Sequence, residues 1–268
     1  MYDFVYRRPT DVSEASRILA GDPDAKALAG GMTLLPSLKQ RLMRVTSLVD
    51  LSGIAGLREI AATPGALKIG ALTSHDEVAR SSIVRSAIPG LATLAGLIGD
   101  AQVRNRGTIG GSVANNDPAA DYPSAVLALD ATIITSKRSI RAADFFLGLF
   151  ATALDADELI VGFELPLPRA SAYAKLPNPA SRYATVGVFV ARFANHCSVG
   201  VTGAAGGVFR WTEAEDRLGS YFDPQSVAGM VLERDDLNTD IHASAEYRAH
   251  VAGTMLKRAV ASTAAGAD

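Results

Sequence analysis

Apolar residues first fall at helical spacing at Val12, Ala15, Ile18 and Leu19, just behind an Asp11/Glu14 pair suited to a helix start. Lys26–Ala29 and Ser47–Leu51 read as strands, and a helix is predicted over Pro36–Leu42 between them, with Pro36 in its first turn. These make a small α/β unit that closes near Gly53. A second unit opens with strands at Leu57–Ala61 and Leu67–Ala71, and Ser74 with Glu77 forms a capping box for the next helix. Helices are predicted over Ile88–Ile98, with Pro89 in the first turn, and over Asp121–Leu129, with Pro123 in the first turn. Thr132–Thr135 and Glu158–Leu165 read as strands, the second ending at Pro166 and Pro168.

That proline pair marks a boundary. Beyond it the pattern is strand, strand, helix: Tyr183–Ala194, Cys197–Gly203, then a helix from about Thr212. Ser244–Val260 places Tyr247, Val251 and Met255 on one helical stripe, and the alanine-rich tail after Ala259 is expected to fray. The fold class is therefore α+β. Residues 1–168 form one domain in two lobes, about 1–55 and 56–168. Residues 169–268 form a smaller C-terminal domain with a short antiparallel sheet and helices. No apolar run nears the ~18 residues needed to span a bilayer. The longest, around Leu91–Ile98 and Phe145–Leu154, read as buried helices.

Composition narrows the function classes. Apolar residues make up 48% and charged ones 20%, the balance of a globular protein. A net charge of −2 and no run of basic residues argue against nucleic acid. The single cysteine, Cys197, can form no internal disulfide and hold no cluster, which fits a cytoplasmic protein; it reads as a buried, inert thiol. His75, His196, His242 and His250 lack metal-ligand spacing and read as surface or capping residues.

The chemistry concentrates in two glycine turns, Ala29–Thr33 (AGGMT) and Thr108–Ser112 (TIGGS). Glycine lets the backbone take φ > 0 and approach a ligand closely, and successive N–H groups in such turns converge on anions. Two such turns suggest two walls gripping one diphosphate, with Thr33, Thr108 and Ser112 adding hydroxyls. No G-x-G and no Gly-Lys occurs, so neither the Rossmann fingerprint nor a P-loop is present. Arg104 and Arg106 precede the second turn, where they could neutralise a diphosphate, hold the loop through its carbonyls, or face a partner. Tyr122 and Tyr183 are candidates to shield a bound ring.

The 26 residues from Asp100 to Ala125 (DAQVRNRGTIGGSVANNDPAADYPSA) closely resemble the FAD-binding subunits of molybdenum hydroxylases. That family includes the medium subunit of aerobic carbon monoxide dehydrogenase and the FAD domain of xanthine dehydrogenase. Leu28–Leu35 (LAGGMTLL), Asp50–Ile54, Ile69–Thr73, Glu158–Ile160 and Lys175–Arg182 extend the resemblance over most of the chain. It implies a two-part FAD-binding domain of the vanillyl-alcohol-oxidase/PCMH type. It also implies FAD contacts from Leu28, Ala29, Gly30, Gly31, Met32, Thr33, Leu34 and Leu35 in the first loop, and from Thr108, Ile109, Gly110, Gly111 and Ser112 in the second. Asp121 matches an acid bonded to a sugar hydroxyl of FAD, although on its own it reads as a helix N-cap. Ile160 matches an apolar contact, and Lys175 a lysine near the flavin ring; without the resemblance Lys175 reads as solvated. No residue is assigned a catalytic role, because flavin chemistry resides in the ring.

The resemblance further implies a large molybdopterin subunit and a small subunit with two 2Fe–2S clusters, assembled as a dimer of heterotrimers. Electrons would reach FAD from those clusters and leave for NAD, a quinone or oxygen. One cysteine excludes the 4Fe–4S insertion of some relatives. The alternatives are a stand-alone FAD-dependent reductase of the same superfamily and a non-catalytic FAD-binding module.

Overall fold

The computed structural model describes residues 1–264. Its first lobe is a three-stranded parallel sheet of β1 (Val5–Arg7), β2 (Lys26–Leu28) and β3 (Ser47–Asp50), with β3 in the middle. Parallel neighbours need crossovers, and helices α1 (Val12–Gly21) and α2 (Leu34–Lys39) lie in the two connections. Asp11 starts α1 by accepting a 2.8 Å hydrogen bond from the Glu14 N–H. Ala15 and Leu19 then share a core with Val49 and Leu51.

The second lobe begins with the hairpin of β4 (Ile60–Thr63) and β5 (Ala66–Gly70). Six helices follow: α3 (His75–Arg80), α4 (Ser82–Ala87), α5 (Pro89–Gly96), α6 (Ala101–Arg106), α7 (Ile109–Asn115) and α8 (Tyr122–Ala128). The Ser74/Glu77 capping box starts α3 as expected, with bonds of 2.7 and 3.2 Å. Next come β6 (Thr132–Thr135), β7 (Ser139–Arg141), the single turn α9 (Ala142–Phe145) and a small hairpin of β8 (Phe146–Gly148) and β9 (Ala151–Thr152). Strand β10 (Ile160–Pro166) then returns to the middle of an antiparallel sheet ordered β4-β5-β10-β6-β7.

The remaining chain forms a four-stranded antiparallel sheet of β11 (Ala170–Pro177), β12 (Ala184–Arg192), β13 (Cys197–Thr202) and β14 (Phe209–Arg210), with α10 (Thr212–Ser220) and α11 (Ala245–Ala264). Helix α8 is buried along its whole length, sharing one core with Phe163 of β10 and Phe189 of β12. It is apolar on every face because it has no solvent side. Gly200 permits its approach: a Cβ there would lie 2.2 Å from the Ser124 carbonyl oxygen.

Several expectations are corrected. Phe145–Leu154 is not a buried helix; only Phe145 belongs to one, and Phe146–Thr152 forms the β8–β9 hairpin, with Leu147, Leu149 and Phe150 exposed at its tip. The run is apolar without helical spacing, so composition alone misassigned it. The strand predicted at Leu57–Ala61 starts three residues later, at Ile60. Strand β11 went unpredicted because its alanines, lysine and proline favour strands poorly; eight paired positions on β12 supply the stability instead. On α11, Val251 and Met255 are buried but Tyr247 is half exposed. The helix continues through Ala264, past the point where fraying was expected; the last four residues of the tail lie outside the described residues.

Candidate functional site

The first glycine turn packs against the residues that lead into the second. A Cβ on Gly30 would lie 2.1 Å from the Arg106 carbonyl oxygen and 2.7 Å from the Gly107 Cα, so only glycine permits this approach. Gly31 has φ +73°, which the first turn needs in order to leave β2 and enter α2. Among the described residues, the N–H groups of Gly30, Gly31, Met32 and Thr33 donate to no protein acceptor. Four successive free donors form the kind of concavity that binds anions.

The second turn is built differently. Thr108 caps α7, accepting a 3.1 Å bond from the Gly111 N–H. Ile109 and Gly110 donate to the carbonyls of Thr73 and Ala71 at 3.1 and 2.9 Å, and Ser112 donates to that of Thr108 at 3.0 Å. The expectation that both turns offer free N–H groups is therefore corrected here. These glycines lie in a helical first turn whose donors are already engaged. Gly110 is required by packing, since a Cβ would sit 2.6 Å from the Ala71 carbonyl oxygen. This turn contributes a wall and two hydroxyls.

Between the turns runs a cleft of about 690 Å³. Ala29, Gly30, Gly31, Met32, Thr33 and Leu34 form one wall, and Thr108, Gly110, Gly111 and Ser112 form the other. Ile98, Leu154 and Ile160 add apolar surface, and Arg182 and Tyr183 approach from the loop between β11 and β12. Ile98 and Arg182 are cleft residues that the sequence did not single out. A cleft that combines free N–H donors on one wall with apolar patches suits a dinucleotide, which joins a charged diphosphate to flat rings.

Asp121 borders the cleft but does not cap α8 with its side chain. Its carboxylate accepts from the Tyr173 hydroxyl at 2.5 Å and lies 2.9 and 3.1 Å from the Lys175 ammonium. Burial pushes the Asp121 carboxyl upward, against the pull of Lys175 and Tyr173. The Lys175 side chain is only 2% exposed, so the solvated reading is corrected. It stands behind Asp121 without bordering the cleft, and donates to the Arg182 carbonyl at 2.8 Å, tying the 178–183 loop to α8.

His75 differs most from expectation. It is neither a surface residue nor a side-chain cap, but is 5% exposed on the cleft floor against Gly107. Its ring lies 5.3 Å from that of Tyr122, and its Nδ1 has no partner among the described residues. Burial, reinforced by the nearby Arg104, pulls its pKa down to about 4, so it is neutral at pH 7. Burial cannot be read from one imidazole in a sequence. Arg104 itself donates to the carbonyls of Ile98 and Gly99 at 3.0 Å each, which fastens the segment before α6 and not the second glycine turn. Neither Arg104 nor Arg106 borders the cleft.

Of the remaining site candidates, Leu28, Leu35 and Ile109 sit behind the walls. Leu28 and Leu35 pack beneath Gly31, and Ile109 is fully buried. Tyr122 is fully buried and does not border the cleft, whereas Tyr183 is partly exposed at its rim. Cys197 is buried in β13. Among the described residues no three His, Cys, Asp or Glu side chains are placed to hold a metal, and no helix is long and apolar enough to cross a membrane.

A family described as the FAD binding domain in molybdopterin dehydrogenase matches residues 2–168. The chain is 34% identical over 274 residues to the carbon monoxide dehydrogenase medium chain of Hydrogenophaga pseudoflava, covering 96% of each. It is 35% identical over 172 residues to the xanthine dehydrogenase FAD-binding subunit of Escherichia coli O157:H7, covering 62% of this chain and 59% of that one. Among solved structures, a chain of the reconstituted CO dehydrogenase from Oligotropha carboxidovorans superposes with a TM-score of 0.89 at 31% identity, with 99% of each chain covered.

Proposed function

The chain belongs to the family of FAD-binding subunits of molybdopterin dehydrogenases, of the carbon monoxide and xanthine dehydrogenase type, and from that premise we propose that it is the electron-transfer subunit of a cytoplasmic complex of this kind. In this reading a large molybdopterin subunit oxidises the substrate and a small 2Fe–2S subunit delivers the electrons, within a dimer of heterotrimers. The external acceptor is NAD, a quinone or oxygen. FAD, when bound, supplies redox chemistry through its isoalloxazine ring.

The observation that carries the proposal is the cleft between the two turns. The four free N–H groups from Gly30 to Thr33 would hold the diphosphate, with the hydroxyls of Thr108 and Ser112 opposite. Ile160 would pack on an apolar part of the cofactor, and Asp121 would accept from a sugar hydroxyl. Lys175 acts through Asp121 and the 178–183 loop, orienting the acid and setting the rim that Arg182 and Tyr183 form. Leu28, Leu35 and Ile109 shape the walls from behind. The division into residues 1–168 and 169–268 fits this arrangement, because the family match ends at 168 and a new sheet begins at Ala170.

Purification tests this directly. The isolated chain should carry about one non-covalent FAD per chain, with neither iron nor molybdenum. A colourless protein that takes up no FAD under native conditions would contradict the reading.

A further inference from the structure

A strand places side chains two residues apart on one face, so Tyr173 and Lys175 of β11 both reach Asp121 at the start of α8. The Tyr173 ring packs beside Phe189, its pairing partner on β12, with ring centres 6.4 Å apart. Its hydroxyl needs room on that strand, and Gly187 supplies it: a Cβ there would lie 2.2 Å from the hydroxyl oxygen. The phenol held in this slot ends on one acceptor, the buried carboxylate of Asp121.

The two oxygens of that carboxylate are engaged unequally. Oδ1 accepts from the Tyr173 hydroxyl at 2.5 Å and lies 2.9 Å from the Lys175 ammonium. Among the described residues Oδ2 meets only the ammonium, at 3.1 Å. An ammonium on a flexible stem attracts a carboxylate without fixing its rotation, whereas a hydroxyl on a packed ring bonds in one direction. Tyr173 thus occupies Oδ1, and the spare acceptor capacity lies on Oδ2. Of the three residues, only Asp121 borders the cleft.

We propose that Tyr173 is a positioning residue for the cofactor, turning the Asp121 carboxylate so that Oδ2 is the oxygen that accepts from a sugar hydroxyl of FAD. The inference rests on the functional reading above, in which Asp121 touches the cofactor. The same hydroxyl opposes protonation of the acid. Burial pushes the Asp121 carboxyl upward, while the Lys175 charge and the Tyr173 bond hold it down. Without that bond the carboxyl rises further, and once protonated it loses both its ion pair and its charged acceptor. The remaining groups coupled to Asp121 are the phenols of Tyr122 and Tyr183, and Asp117 acts on Tyr183 in turn. Burial raises both phenols above their ordinary value, so they stay neutral while Asp121 titrates.

The test titrates FAD into the full chain, followed by flavin fluorescence, between about pH 5 and about pH 8.5. Tyr173→Phe removes one oxygen and should weaken FAD binding about tenfold near neutral pH. The pH at which affinity falls on acidification should also lie about one unit higher than in the wild type. In an Asp121→Asn background the same change should add less than about twofold, because the group it positions has lost its charge. Gly187→Ala keeps the phenol but crowds its hydroxyl, and supplies the same comparison if Tyr173→Phe folds poorly. Wild-type affinity and an unmoved acid limb in a folded variant would overturn the proposal. So would weaker binding with an unmoved acid limb, or an equal loss in the Asp121→Asn background, either of which would make Tyr173 a packing residue only. FAD affinity that Asp121→Asn itself leaves unchanged would instead overturn the reading that Asp121 touches the cofactor.

Discussion

Gly110 and Gly111 are neighbours in one turn, yet a side chain would act differently at each. At Gly110 a Cβ meets the Ala71 backbone at 2.6 Å, so Gly110→Val should destabilise the fold itself by roughly 1–3 kcal/mol or more, read as a lower unfolding midpoint. At Gly111 the nearest atoms are the Thr108 hydroxyl at 3.0 Å and the Ala29 Cβ at 3.6 Å, and the position borders the cleft. Gly111→Val should therefore leave a folded chain whose FAD affinity, measured by flavin fluorescence titration, is lower by about tenfold or more. Equal FAD affinity in that variant would place the cofactor elsewhere. The free donors of the first turn were legible in the sequence because they follow from local backbone geometry. The second was legible as a turn that borders the cleft but not as one with engaged donors, because what engages its N–H groups is the distant Ala71–Thr73 segment.

His75 adds a pH signature at the same scale. Its folded pKa of about 4 lies below the ordinary value of 6.5, so the unfolded chain binds the extra proton first as pH falls. Stability should be complete above about pH 6.5 and decline from there toward pH 4, by up to about 3 kcal/mol from this residue. His75→Gln should flatten that part of the profile in denaturant titrations run at successive pH values. An unchanged slope would show that His75 is not the buried neutral group described.

At the scale of elements, α11 is fastened by one buried guanidinium. Arg248 donates to the Thr185 and Gly203 carbonyls at 2.6 and 3.0 Å and to Asp240 at 2.6 Å, joining the helix to β12, the end of β13 and the preceding loop. Truncation leaves two buried carbonyls and the loop without their partner, so Arg248→Met should cost roughly 3–5 kcal/mol in chemical denaturation. Arg248→Lys should recover little, because an ammonium cannot reproduce the fork. The sequence marked α11 by its apolar stripe but gave no sign of this latch. Local signals also located α1 and α3 by their caps, α5 and α8 by their early prolines, and α10 by its starting residue. They failed where long-range pairing decides, as at β11, and where an apolar run faces outward, as at Phe146–Thr152.

At the scale of the molecule, two α/β lobes and a third sheet converge on one cleft, and the chain has no metal site among its described residues to load that cleft with electrons. In the proposed function this chain is a relay which depends on an iron–sulfur partner. The most direct test mixes the FAD-loaded chain, without oxygen, with its 2Fe–2S subunit after that subunit has been reduced with dithionite and freed of excess reductant. The flavin's visible absorption should bleach as the iron–sulfur signal returns to its oxidised form, and the molybdopterin subunit given its substrate should bleach the flavin only when the 2Fe–2S subunit is present. Flavin that stays oxidised beside the reduced 2Fe–2S subunit, or that bleaches with molybdopterin subunit and substrate alone, would contradict it.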